Sequence, residues 1–289
     1  MDLPTNQTVN PLSYFMRQPK IYIKLPSEGR YWPEGSLQAT ETGEYPVYSM
    51  TAKDELLLQV PDALMNGQAV VDVIQNCMPN IKNAWNIPNT DVDIILIAIR
   101  LATYGEMLNT PINVTEDIEM EYRIDLRTVL DDLMSRVSWD PVVSISNELT
   151  VFVKPLTYKH ITTSALGTFE TQKIIQLANN DEINEDEKIK LFTESLNRLT
   201  NVTIGMVRDS IFKIDSTHGS TDDPIHIKEF LDNIDKTMFN TIQSHLEKMR
   251  EQNSLKNIVI NVTDEMKAQG ITSDTIEVPL VFDPATFFA

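Results

Sequence analysis

The stretch VDIILIAIRLA, Val92 to Ala102, is the strongest constraint on how this chain can fold. Val92, Ile95, Leu96, Ile99 and Thr103 recur at the i, i+3, i+4 spacing of one helix face. Ile94, Ile97 and Ala98 are apolar as well, so the helix must be buried most of the way round. The run carries Asp93 and Arg100 and is too short to span a bilayer. It therefore reads as a core helix, capped by Thr90 with Asp93 and closed by Gly105. Everything else has to be assembled around it.

Upstream, Pro19 and Pro26 bracket Ile21, Ile23 and Leu25, which alternate with Tyr22 and Lys24 as in an extended arm. Ser27-Glu28-Gly29 supplies a turn and Tyr31-Trp32-Pro33 an aromatic cluster beyond it. Residues 1–18 form a polar lead-in, and Tyr45 to Tyr48 a short strand. Thr51 to Asp54 is a capping box, predicting a helix over Glu55 to Gln59 and a second over Asp62 to Met78 with Ala63, Leu64, Val70, Val71, Ile74 and Cys77 inward.

Downstream, Pro111 to Leu126 switches to strand-like alternation, Leu130 and Leu133 sit in a short helical turn, and Glu148 to Lys154 reads as a strand. Thr162 to Asn179 is helical. Asn184 with Glu187 caps a helix carrying Ile189, Phe192, Leu196, Leu199 and Val202. Asp223-Pro224 starts a helix whose apolar face runs from Ile227 to Met249. Asn257 to Thr263 and Thr275 to Phe282 are predicted strands. The segment Ile112 to Thr115 recurs as Ile260 to Thr263, a weak repeat of two β-hairpins. The expected fold class is α+β: a mainly α-helical core with an extended N-terminal arm and two small β-hairpin regions. Its expected divisions are 1–50 (arm), 51–145 (helical block with hairpin) and 146–289 (strand, long amphipathic helices and C-terminal hairpin).

Charge and missing motifs exclude several functions. The 289 residues carry a net charge of -18, which argues against a phosphate backbone as main partner. One cysteine, Cys77, permits no internal disulfide, and its apolar neighbours suggest a buried thiol. The N-terminus lacks the basic and apolar regions of a signal peptide, so a cytoplasmic protein is expected. No phosphate loop, dinucleotide fingerprint or nucleophile elbow occurs, and the four histidines form no H-E-x-x-H arrangement. No cofactor or small-molecule substrate is expected. Asp215, His218, Asp222, Asp223 and His226 form the best metal-like constellation and the basis of an alternative reading as a metal-dependent enzyme. A polar loop in which Asp223 caps a helix explains them better. Asn180 to Glu187 lacks the central Gly of a calcium loop and reads as a solvated turn. A further alternative is an acidic intracellular adaptor.

The segments IYIKLPSEGRYWP, TAKDELLLQVPDALMNGQAVVDVIQNCMPNI and IPNTDVDIILIAIRLATYGEML, with VPLVFDPATFF near the C-terminus, resemble a baseplate protein family of T-even type contractile-tailed phages. Its members are described as baseplate hub assembly proteins, hub components or assembly chaperones. The resemblance implies a non-enzymatic protein that acts in the host cytoplasm during assembly or in the virion tail baseplate. The implied partners are other tail and baseplate hub proteins, with no nucleic acid and no membrane. The arm, through Ile21, Ile23, Leu25, Tyr31 and Trp32, is the expected partner-binding element, suited to strand addition. Many relatives carry C-x-x-C pairs where this chain has Asn113 to Glu119 and Asn261 to Asp274. Those hairpins must hold here without zinc.

Overall fold

The computed structural model describes residues 10–12, 15–60, 63, 66–115, 118–135, 139–178, 184–268, 272–278 and 287. The lead-in 1–9, the expected helix start at Asp62 with Leu64, residues 180–183 of the acidic turn and the 279–282 part of the last strand lie outside them. The fold is α+β, as expected.

The arm is a strand of the protein's own sheet. β1 (Pro19–Lys24) pairs antiparallel with β2 (Glu44–Tyr48), with Ile21 opposite Val47 and Ile23 opposite Tyr45. Period-two alternation turns Ile23, Tyr45 and Val47 into the core and leaves Tyr22 and Lys24 in solvent. α1 (Ala52–Leu58) follows the expected capping box, in which Thr51 and Asp54 satisfy each other's backbone N–H groups. α2 (Gln68–Cys77) buries Ala69, Val70, Val71, Val73, Ile74 and Cys77.

α3 (Asn89–Tyr104) is the predicted central helix, buried without interruption from Ile94 to Ala102. Gly105 ends it at φ 88°, a conformation glycine adopts without strain. Its start differs from expectation. Pro88 occupies the N-cap position and offers no side-chain oxygen, so no side chain caps the helix, while Asp91 in its first turn is engaged by a turn far upstream. β3 (Met107–Thr115) and β4 (Ile118–Asp125) form the predicted hairpin. α4 (Leu126–Met134) buries Leu126, Leu130 and Leu133 against the same core. Residues on both sides of position 50 thus feed one hydrophobic cluster, which Phe287 also enters.

A second core lies further along. β5 (Val142–Ser146) pairs with β6 (Leu149–Val153), which leads into two long packed helices, α5 (Tyr158–Ala178) and α6 (Glu185–Ser210). The chain returns as β7 (Ile211–Ser216) and β8 (Gly219–Thr221), completing a four-stranded antiparallel sheet in sequential order. α7 (Pro224–Asn233) and α8 (Lys236–Asn253) cover it with Ile227, Leu231, Ile242 and Leu246. This sheet exceeds the single strand expected here. The expected continuous helix from Pro224 is also broken. Asp235 accepts from the N–H groups of Thr237 and Met238 at 2.7 and 2.9 Å, so it starts a new helix. β9 (Ile258–Asn261) and β10 (Thr275–Val278) pair antiparallel around α9 (Asp264–Ala268), enclosing Ile260, Met266 and Val278. The two related segments thus both lie in two-stranded antiparallel pairs, but a helix is inserted in the second.

The two large cores are joined through backbone. Asn89 N–H donates to Leu156 O and Tyr158 N–H to Ile87 O, each at 2.8 Å. Trp85 and Tyr158 stack with centroids 5.8 Å apart. Gly67 completes the joint at φ 79°, where a Cβ would stand 2.9 Å from Thr162 Cγ2 and 3.2 Å from Trp85. Gly67→Ala is expected to cost about 2 kcal/mol, combining left-handed strain with this clash. Gly43→Ala, at a similar φ of 70° with nothing within 4 Å, is expected to cost about 1 kcal/mol. Chemical denaturation of both variants checks the difference.

Candidate functional site

The turn between β1 and the aromatic cluster is held by one buried carboxylate. Asp91 is 0% exposed, and its Oδ1 accepts from Ser27 N–H at 2.9 Å. Its Oδ2 accepts from Ser27 Oγ at 2.5 Å and from the indole N–H of Trp32 at 2.9 Å. Thr90 Oγ1 adds a longer contact of 3.4 Å to Oδ1. Between these anchors the backbone turns sharply, with Glu28, Gly29 and Tyr31 at φ 53°, 80° and 68°. Two of these are non-glycine residues in the left-handed region, a conformation that persists where surrounding contacts over-determine it.

Burial drives the Asp91 pKa up to about 6, against the opposing pull of the hydrogen bonds from Ser27, Trp32 and Thr90. At neutral pH the group is an ionised acceptor, which suits the N–H and O–H groups aimed at it. Tyr31 is half-buried and its pKa is also raised, chiefly by burial, with Arg30 opposing and Asp140 assisting.

The turn borders a cleft of about 260 Å³. Lys24 at the end of β1 and Arg30 and Tyr31 of the turn line it, and Met134, Trp139 and Asn253 come from α4, the following segment and the end of α8. Trp139 is fixed by its indole N–H donating to Val153 O at 3.1 Å. The cleft therefore lies where the first core meets the second. Just upstream, the Arg17 guanidinium donates to Ser49 O at 2.5 Å and to Asn76 O and Oδ1 at 2.6 and 2.7 Å. Asn76 in turn donates to the buried Asp54, so the chain ahead of β1 is tied to α1 and α2.

The structure separates the five residues expected to bind a partner. Ile23 and Leu25 lie in the protein's own core at 2% and 3% exposure, and Ile21 packs against it. Trp32 spends its N–H on Asp91, while Tyr31 opens onto the cleft. Tyr22 is exposed on the outer face of β1, a position that the alternation around Ile21 and Ile23 already marked. Asp91 and Ser27 carried no such signal, because the capping pattern pointed to Asp93 instead.

The metal-like constellation does not assemble. Asp215 Oδ2 is held by Lys213 Nζ at 2.9 Å, Asp223 caps α7 through the N–H of Ile225, and His226 Nδ1 faces Thr221 Oγ1. Among the described residues, no three His, Cys, Asp or Glu side chains come together as a metal site. Cys77 is buried, and its thiol pKa is pushed up to about 12 by burial and by Asp54, with Arg17 opposing.

A family model described as T4 bacteriophage base plate protein matches residues 16–273, from the Arg17 anchor through the turn and both large cores. The chain belongs to this family and is a phage baseplate structural protein. Membership implies contact with other phage tail proteins. No curated protein and no solved structure matches the chain. Among the described residues no helix is long and apolar enough to cross a membrane.

The raised Asp91 pKa fixes the sign of a pH effect. Between about pH 4 and 6 the folded state holds a proton that the unfolded chain releases, so this group's stabilising contribution falls as pH rises through that window. The change amounts to about 3 kcal/mol. Asp91→Asn places a donor among donors and is expected to lower stability by about 2–4 kcal/mol at pH 7. It should also flatten the difference between pH 4 and 6, which denaturant titration at the two pH values measures against the unaltered chain.

Proposed function

We propose that this chain binds baseplate hub subunits and takes part in hub assembly without catalysing a reaction, as a structural component or an assembly chaperone. The reading includes action in the host cytoplasm during assembly and a place in the tail baseplate. The observation that carries it is the 25–32 turn, clamped by Asp91 and set at the mouth of a cleft between two cores. Preorganised backbone of this kind lowers the ordering cost of binding. Tyr22 and Tyr31 add aromatic surface, a residue type enriched at protein interfaces. Among the described residues β1 and β2 form a two-stranded sheet in which each has an edge paired with no further strand, and strand addition by a partner is compatible with that arrangement.

Deleting residues 1–33 is a poor test, because it removes Ile23 and Leu25 from the core. The double substitution Tyr22→Thr/Tyr31→Gly removes both rings while keeping the strand, and glycine relieves the left-handed φ at position 31. In pull-downs with co-expressed hub proteins of the same phage, this variant is expected to bind at least about tenfold more weakly, a loss of roughly 1.4 kcal/mol or more. Its melting temperature should match that of the unaltered chain. Equal binding by the two proteins would overturn the assignment to this surface.

A further inference from the structure

Among the described residues, the buried charged side chains are Asp54, Asp91 and Arg100. The two carboxylates are fully engaged, Asp54 by Thr51, Asn76 and Arg17 and Asp91 by Ser27 and Trp32. Arg100 is the exception. It sits on α3 at 7% exposure, and its Nε and Nη1 have no hydrogen-bond partner among the described residues. Its surroundings are aromatic. The Tyr104 ring lies 4.9 Å from Cζ and the Phe287 ring 5.4 Å. Ring faces attract the cation but supply no oxygen for these two nitrogens. Burial lowers the pKa of the guanidinium, with Tyr104 opposing, but an arginine side chain remains protonated. A buried cation with unmet donors is costly unless an anion completes it, and native structures rarely leave one without cause.

The site lies near the surface but is closed, with Arg100 and Phe287 both buried. Tyr104 is exposed, and its hydroxyl donates to Glu55 Oε1 at 3.1 Å, which places the site at the edge between α1 and the end of α3. Phe287, itself buried, covers the cation from the C-terminal part of the chain. A guanidinium offers a planar fork of donors that fits a carboxylate. A polyanion such as nucleic acid would meet strong repulsion from a net charge of -18, and a single carboxylate on an otherwise apolar peptide far less of it.

We propose that Arg100 is a receiving site for a carboxylate carried by a partner protein, with Tyr104 and Phe287 as its aromatic walls. The source of the carboxylate rests on the reading of this chain as a binder of tail proteins. The anion site itself does not.

The test uses the full chain and Arg100→Met, which keeps the length of the side chain and removes the charge. Each is melted in sodium acetate and in sodium chloride at equal ionic strength and pH 7. The unaltered chain is expected to melt at least about 2 °C higher in acetate relative to the response of Arg100→Met, as ligand linkage requires. In chloride the variant is expected to melt no lower than the unaltered chain. In pull-downs with co-expressed tail proteins, Arg100→Met is expected to bind at least about tenfold more weakly. A variant that melts lower, together with no specific acetate response in the unaltered chain, overturns the site and makes Arg100 an internal structural cation. An Arg100-dependent acetate response with equal partner binding by the two proteins overturns the partner as the source. If the unaltered chain itself binds no tail protein, the hub reading and the partner source fail together while the acetate response still supports the anion site.

Discussion

Asp91 is the interaction on which the first half of the molecule depends. The helix that carries it is buried almost all round, so its apolar side chains hold the core without specifying which turn must lie at its N-terminal end. The carboxylate specifies it. Three directed donors from Ser27 and Trp32 converge on its two oxygens. Hydrophobic burial is non-directional, and a buried polar network of this kind supplies the register that burial lacks. The left-handed residues Glu28 and Tyr31 are tolerable for the same reason. The turn is fixed at both ends, and the sheet of β1 and β2 closes beneath it.

The second half is organised differently. A four-stranded sheet and two helices make a core of their own, and α5 and α6 extend from it as a pair. Contact between the halves is specific. Backbone hydrogen bonds at Ile87, Asn89, Leu156 and Tyr158 meet the Trp85–Tyr158 stack, with Gly67 admitted only because it lacks a Cβ. The cleft beside Tyr31 lies at this boundary, a preferred location for binding sites. Any tilt of one core against the other would reshape it.

Much of this organisation was legible in the sequence. The central helix was, because apolar residues on nearly every face leave few other arrangements. The alternation of β1 was, because period two marks which side chains face inward. Its pairing with β2 was not, since alternation names a face and never a partner. That is why Ile23 and Leu25 read as a surface for another protein when they in fact face the chain's own core. The helix break at Asp235 is not marked in the apolar pattern, because Ile227, Leu231, Ile242 and Leu246 all reach the same core and the pattern runs through the interruption. The strands β5, β7 and β8 are short, and Phe212 on β7 is exposed, which blurs the pattern. Asp91 was hidden by competition. Local capping rules favour Thr90 with Asp93, whereas Asp91 answers a turn 64 residues away, which no local rule reads.

That separation of 64 residues has a temporal side. Translation delivers the N-terminal strand first, on the order of seconds before the helix that will hold it. During this interval Ile21, Ile23 and Leu25 form an extended apolar segment with nothing to pack on, able to pair with a neighbouring nascent chain. Lys20 and Lys24, exposed in the finished strand, stand among them as like charges that oppose such pairing. The composition of this strand thus serves two stages, keeping early copies of the chain apart and later letting the same apolar residues close the core.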